Sequence, residues 1–77
     1  MSTETAVQPQ LVPITINGEL KDVPANLSVE ELLEWLGVAI DRVAVELNRS
    51  IVRKRDWQQA VVTAGSHLEI VEFVGGG

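Results

Sequence analysis

The residues with the clearest chemical potential are the last three, Gly75-Gly76-Gly77, which directly follow a strand-like run. None of them has a side chain, so the group they present is the α-carboxylate of Gly77, which is ionised at neutral pH because such carboxyls titrate near about 3.3–3.7. Three extended glycines reach roughly 10 Å and can adopt conformations closed to other residues. The pattern predicts a carboxylate delivered to another protein's active site, and the alternative is a frayed terminus without a chemical role.

The rest of the chain offers little catalytic chemistry of its own. There is no cysteine, which excludes disulfides, cysteine-based metal sites and a thiol nucleophile. The single histidine, His67, lacks the spacing to other ligands that metal motifs require. The terminal glycines cannot act as a phosphate-binding loop because no helix follows them. We therefore predict a protein that is not itself an enzyme and that binds no metal or cofactor.

Length and charge narrow the class further. Seventy-seven residues make one domain, and the net charge of −5 lacks the basic footprint of a nucleic-acid binder. The basic residues within 49–55 are interpreted as a solvated turn. No stretch has the length of a membrane span, and the start of the chain lacks the features of a signal peptide. We expect a cytoplasmic protein that is monomeric when free and has no nucleic-acid or membrane partner.

The tail must be positioned by the elements before it, and the first of these is a hairpin. Apolar residues alternate with polar ones from 11 to 16, which predicts a half-buried strand, and Asn17-Gly18 then favours a tight turn. A strict two-residue turn would pair Ile16 with Glu19 and place Leu20 on the opposite face from Ile16. Three alternatives stay open at this point: a longer loop, a bulge that corrects the register, or an exposed Leu20.

A short helix follows the hairpin. Ser28 and Glu31 form a capping box, in which each side chain satisfies an N–H at the start of the helix. Apolar residues recur with helical spacing over 29–36, and Gly37 is a typical stop in the left-handed conformation. Two turns do not hold alone, so this helix must pack on a sheet. We expect Trp35 to cover the edge of the core.

The remaining pattern predicts three more strands and a turn of helix. They are a strand over 42–48, a short strand over 51–53, a helical turn over 57–60 capped by Asp56, and a last strand over 68–74. Residues 1–10 are polar and aperiodic, which predicts a disordered extension. The domain would thus occupy 11–74, followed by a flexible tail at 75–77. The fold class is α+β, a mixed sheet of four to five strands with one helix on one face, and we expect the first and last strands to be central and parallel as in a β-grasp.

One face of this sheet has no second layer to cover it. The last strand would show Val71 and Phe73 on that face, and the third strand would show Ala44. Exposed apolar clusters commonly mark interaction sites, so we predict a docking patch beside the tail. Three glutamates are expected to rim the patch and to favour a basic partner, namely Glu46, Glu69 and Glu72.

Five stretches together carry a resemblance to a known family. They are Ile16-Asn17-Gly18-Glu19, Ser28-Val29-Glu30-Glu31-Leu32-Leu33, Arg42-Val43-Ala44-Val45-Glu46-Leu47-Asn48, Ile51-Val52 with Trp57, and the end from Glu69 to Gly77. In this ordered set the chain resembles the ThiS family of sulfur carriers in bacterial thiamine biosynthesis, within the ubiquitin-like β-grasp superfamily. The resemblance covers nearly everything from residue 12 onward.

The resemblance implies a specific chemistry for the tail. A ThiF-like enzyme would use Mg-ATP to adenylate the Gly77 carboxylate, and sulfur relayed from a cysteine desulfurase would replace AMP to give a thiocarboxylate. A ThiG-like synthase would then use that sulfur to build a thiazole ring. By the same implication Gly76 and Gly77 are the functional tail, and Val71 and Phe73 belong to the docking face. We assign Gly75 to the tail as well, and Ala44 and Glu69, from the same sheet face, to partner docking.

Other functions share the same sequence features. A sulfur carrier for molybdopterin, cysteine or another product would keep the chemistry and change the pathway. A protein modifier would also be adenylated but would end in an isopeptide bond to lysine. A β-grasp binding module would retain its function after removal of Gly76 and Gly77.

Overall fold

The computed structural model describes residues 10–73, so residues 1–9 of the predicted extension over 1–10, and the glycines of the tail, lie outside the described residues. Within that range the chain forms five strands and one α-helix: β1 (Leu11–Ile16), β2 (Glu19–Pro24), α1 (Val29–Leu36), β3 (Val43–Leu47), β4 (Ser50–Val52) and β5 (His67–Glu72). Short 3₁₀ turns at Ile40–Arg42 and Lys54–Asp56 precede β3 and follow β4.

The strands form a single mixed sheet in the order β2-β1-β5-β3-β4. The first and last strands lie next to each other in parallel, and the other pairs are antiparallel. A parallel pair requires a long crossover, and α1 with the strands after it provides one. The predicted α+β fold, with parallel first and last strands inside the sheet, is confirmed.

The first hairpin settles the three alternatives for its register. Ile16 pairs with Glu19 across a two-residue turn, in which Asn17 and Gly18 have φ of 51° and 84°. Positive φ at both positions is the mark of a type I′ turn, whose twist matches that of the strands. Leu20 therefore points away from the core and is 76% exposed.

Helix α1 begins and ends as its sequence predicts. The Ser28 Oγ accepts a hydrogen bond from the Glu31 N–H at 3.1 Å, and a Glu31 carboxylate oxygen accepts one from the Ser28 N–H at 2.9 Å. Gly37 ends the helix in the left-handed conformation at φ 78°. Trp35 is about half exposed, as expected for a residue at the edge of the core.

The core lies between α1 and one face of the sheet. Ten apolar side chains are buried there: Ile14, Val23, Val29, Leu32, Leu33, Val43, Val45, Trp57, Val62 and Leu68. Trp57 is the largest of them, and its indole N–H donates to the Val52 carbonyl at 2.9 Å. This bond satisfies the one polar atom of the ring, which a buried tryptophan requires.

The segment after β4 differs from its prediction. The helical turn starts at Lys54 rather than at Trp57, and Asp56 lies inside it. The Asp56 carbonyl accepts from the N–H groups of Gln59 and Ala60, so the backbone of Asp56 stabilises the next turn while its side chain caps nothing. The buried Trp57 ring draws this segment against the core, which local capping rules do not register.

The ion pair between Lys54 and Asp41 on the surface makes the stability of the fold depend on pH. The Lys54 ammonium lies 2.7 Å from an Asp41 carboxylate oxygen, and this hydrogen bond and charge lower the pKa of Asp41 below its usual 3.8. Because the folded-state pKa is the lower one, the pair's contribution is present above the unfolded-state pKa and is lost as pH falls through the folded-state pKa. Lys54→Met should return the Asp41 pKa to its usual value in an NMR carboxyl titration, and 1 M salt should do so in part. Lys21→Met is the control and should leave that pKa unchanged.

Candidate functional site

Strand β5 carries the chain towards the tail from the interior of the sheet. It is paired with β3 from Leu68 to Glu72 and with β1 at its beginning. One residue past the strand, the Phe73 N–H still donates to the Arg42 carbonyl at 2.7 Å. The sheet therefore holds the backbone firmly up to Phe73, four residues before Gly77.

The sheet face opposite α1 has no covering layer within residues 10–73, and we call it the bare face. It brings together the four residues predicted to dock partners: Ala44, Glu69, Val71 and Phe73. Ala44 pairs directly with Val71, and Glu69 lies two residues before Val71 on the same face. Val71 and Phe73 are 57% and 56% exposed, which is unusual for large apolar residues so near each other.

The bare face also contains two apolar residues that the sequence interpretation did not assign to it. Ile51 on β4 pairs with Glu46 and is 75% exposed, and Leu20 on β2 is similarly exposed. The sequence signal that could have assigned Ile51 to the bare face is the two-residue turn Asn48-Arg49 between β3 and β4. Its two residues have φ of 51° and 73°, and a two-residue turn necessarily sets Ile51 opposite Glu46.

A shallow pocket of about 310 Å³ lies in the bare face. Ala44, Ile51 and Val71 contribute its apolar lining, and Glu46 and Glu69 stand at its side. The two glutamates are directly opposite each other across β3 and β5. Like charges in that position destabilise a sheet, so a cationic group of a partner placed between them would relieve the repulsion.

The third predicted rim residue, Glu72, is elsewhere, and that prediction was wrong. Side chains alternate along a strand, so Glu72 shares the helix side of the sheet with Leu68 and Ile70. It lies beside a cleft on that side, together with Val38 and Val43. The rim of the bare face is thus formed by Glu46 and Glu69.

Asn17 connects the hairpin to β5. β1 ends at Ile16, yet the ladder continues by one more rung because the Asn17 side chain substitutes for a strand backbone. Its carboxamide oxygen accepts from the Ile70 N–H at 2.7 Å, and its amide nitrogen donates to the Ile70 carbonyl at 3.2 Å. Asn17 therefore both forms the turn and braces β5 at Ile70.

This brace gives a testable prediction. Asn17→Gly keeps a residue that tolerates positive φ but removes both hydrogen bonds, so we expect a loss of about 1–2 kcal/mol in the free energy of unfolding. Amide exchange at Ile70 should accelerate at least about tenfold, since its N–H loses its partner. Gly18→Asn is the matched control, because it alters the same turn without touching Ile70. Unchanged exchange at Ile70 in Asn17→Gly would contradict the brace.

Within residues 10–73, none of the helices is long and apolar enough to cross a membrane. Among residues 10–73, no three carboxylate or imidazole side chains are grouped so that they could hold a metal ion.

Comparison with known proteins adds a family to this geometry. The model of the ThiS family matches residues 14–77. This range contains the helix, the glycine tail and all five strands, apart from the first three residues of β1.

Individual relatives agree with that match. The chain is 48% identical over 64 residues to a thiazole synthase of Paramagnetospirillum magneticum, covering 83% of this chain and 20% of that protein. It therefore spans about a fifth of the length of that relative. It is 32% identical to the uncharacterized protein ycf40 of Porphyra purpurea, covering 86% of this chain and 93% of that protein. The crystal structure of the thiamine biosynthesis protein ThiS from Geobacter metallireducens superposes with a TM-score of 0.76 at 35% identity, covering 86% of this chain and all of that one.

Proposed function

Because the chain belongs to the ThiS family, we propose that it is the sulfur carrier of a thiamine (thiazole) pathway and that Gly77 is the residue that carries the sulfur. The observation that carries the proposal is the position of β5. This central strand carries the exposed apolar residues Val71 and Phe73, which are only a few residues before Gly77 in the chain, and this proximity supports a docking role for them.

The proposed chemistry follows from the poor reactivity of a carboxylate. A carboxylate oxygen of Gly77 attacks the α-phosphorus of Mg-ATP bound to a ThiF-like enzyme, which forms an acyl-adenylate and releases pyrophosphate. The terminal sulfur of a persulfide supplied by a cysteine desulfurase system then attacks the acyl carbon, AMP leaves, and an acyl disulfide forms. A thiol attacks the S–S bond of this acyl disulfide at the sulfur of the relay cysteine, which releases the thiocarboxylate and leaves a disulfide between the two thiols. The resulting thiocarboxylate donates its sulfur to a ThiG-like thiazole synthase. In this scheme the chain binds no cofactor itself and acts as a co-substrate in the cytoplasm rather than as an enzyme.

The docking patch assigns roles to individual residues in this scheme. Ala44, Ile51, Val71 and Phe73 supply apolar contact area to the partner. Glu69 faces Glu46 across the strands and attracts a basic group on the partner's surface. Gly75 and Gly76 supply a tail without side chains that can enter a narrow active site.

Intact-mass analysis of the protein from its native cells tests the proposal. We expect a species heavier by the difference between one sulfur and one oxygen, and fragmentation should localise that change to Gly77. Gly77→Ala expressed in the same cells is the matched control for the site of modification. Conjugates to larger proteins, without any thiocarboxylate, would instead identify a protein modifier. If the cells require the gene to make molybdopterin or cysteine but not to make thiamine, the protein is a sulfur carrier of that other pathway.

A further inference from the structure

The far half of β5 has an open backbone edge. N–H and C=O groups alternate between the two edges of a strand. The Phe73 N–H bonds to Arg42 next to β3, whereas both backbone groups of Ile70 bond to Asn17 on the β1 side. The N–H and C=O of Glu72 therefore point to the β1 side, one rung beyond Asn17, where the chain has already turned away into β2. Within residues 10–73 no group occupies that rung.

A cleft of about 350 Å³ lies beside this edge, on the helix side of the sheet. Half-buried apolar side chains line it: Ile16, Leu36, Val38 and Ile70. This apolar surface belongs to the core cluster but stays accessible because α1 ends at Leu36. An added strand would direct alternate side chains into the cleft, as in other cases of strand addition to a sheet edge.

We propose that an extended segment of the thiazole synthase adds to β5 at Glu72, with an apolar side chain in this cleft. The inference rests on the proposed function and names a second contact for one of its partners. The synthase is chosen because the Paramagnetospirillum magneticum relative that carries this name contains a segment similar to 83% of this chain within the same polypeptide. Strand addition would fix the backbone next to the tail from both edges, with β3 on one side and the partner on the other.

The edge is built to accept a strand and to remain unpaired without one. The carboxamide of Asn17 already satisfies the Ile70 rung with strand-like distances of 2.7 and 3.2 Å. Only the Glu72 rung is open, and a glutamate on an edge discourages pairing with another copy of the same acidic chain. The strand of a partner can pair there without displacing any hydrogen bond of the free protein.

Amide exchange of the full chain, followed by NMR with and without the thiazole synthase from the same cells, tests the proposal. In the free chain the Glu72 amide should exchange rapidly, while the Phe73 amide is slowed by its bond to Arg42. Addition of the synthase should slow Glu72 by at least about tenfold, as expected for a newly formed hydrogen bond. Unchanged exchange at Glu72 in the complex would overturn the inference, and so would protection by the adenylating enzyme alone.

A pair of variants at one position tests the same contact by affinity. Glu72→Pro removes the outward N–H without breaking a bond of the β3 ladder, and proline is tolerated on such an edge. It should weaken binding of the synthase about tenfold, whereas Glu72→Gln, which keeps the N–H, should change it less than about twofold. Equal affinities for the two variants would contradict strand addition. The exchange experiment uses the unaltered chain, so it decides the question even if Glu72→Pro does not fold.

The inference and the proposed function can fail separately. If Gly77 carries a thiocarboxylate but the Glu72 amide stays unprotected in the complex with the synthase, strand addition is wrong and the carrier function is still supported. Absence of both the thiocarboxylate and any binding of the synthase would remove both.

Discussion

Deletion of Gly76 and Gly77 is expected to abolish adenylation and thiocarboxylate formation while leaving the domain folded. Removing two extended residues withdraws the carboxylate by roughly 7 Å, and displacement by even 1 Å from a reactive geometry can cost about 100-fold in rate. We therefore expect kcat/KM for ATP–pyrophosphate exchange with a ThiF-like enzyme to fall by more than about 100-fold. Stability in urea should not change, because the core cluster lies between Val12 and Ile70.

The matched variant for this deletion is Gly77→Ala. It keeps the length of the tail and its carboxylate and adds a single Cβ, so it separates the reach of the tail from the width of the channel that receives it. If Gly77→Ala lowers kcat/KM less than the deletion does, the difference between the two variants is due to the shortened tail. Normal adenylation of the deleted chain would show that the reactive group is not at the end of this tail and would contradict the proposed chemistry.

Val71→Asp is expected to produce the second large effect, on binding rather than on chemistry. Val71 lies on the bare face of β5, the middle strand of the sheet, where it pairs with Ala44 and is two residues from Glu69. A third carboxylate there would lose apolar contact and add charge repulsion to the pair formed by Glu46 and Glu69. Replacing a central apolar contact typically costs at least about 2 kcal/mol of binding, so KM for the carrier should rise roughly 30-fold with kcat nearly unchanged.

Leu11→Asp is the control for Val71→Asp. Both side chains are on the bare face and both are 57% exposed, but Leu11 lies at the start of β1, at the opposite end of the sheet from the tail. The two substitutions should affect stability equally little, since each replaces a surface residue. Comparable rises of KM for both variants would mean that the apolar character of the whole face matters rather than a patch beside the tail. If KM for the carrier rises in neither variant, Val71 does not belong to a docking surface.

Much of the fold could be predicted because its signals are local. The capping box at Ser28 and the stop at Gly37 involve neighbouring residues only, and the structure has both. Alternation along 11–16 and 68–73 assigned each residue to a face, so the exposure of Val71 and Phe73 followed from periodicity. The turn after β4 was misplaced because its position depends on Trp57, which packs against residues distant in the chain.

The candidate site was predicted only in part. Ala44, Glu69, Val71 and Phe73 were assigned to one face of the sheet, as the structure has them, and their docking role stays a prediction. Ile51 was overlooked, and Glu72 was assigned to the bare face although strand alternation places it on the other face. Ile51 reaches the patch through cross-strand pairing with Glu46, and cross-strand partners are not adjacent in sequence. The open edge at Glu72 depends on where β1 ends relative to β5, two strands separated by more than fifty residues.

By itself the sequence determined the class of the fold and the faces of most strand residues, because propensity and periodicity are properties of consecutive residues. Only the tertiary structure decided the register of the first hairpin, the bracing of Ile70 by Asn17 and the composition of the bare face. These depend on which strands lie side by side and where each one stops. Within residues 10–73 both follow from packing one α-helix against five strands around a small core.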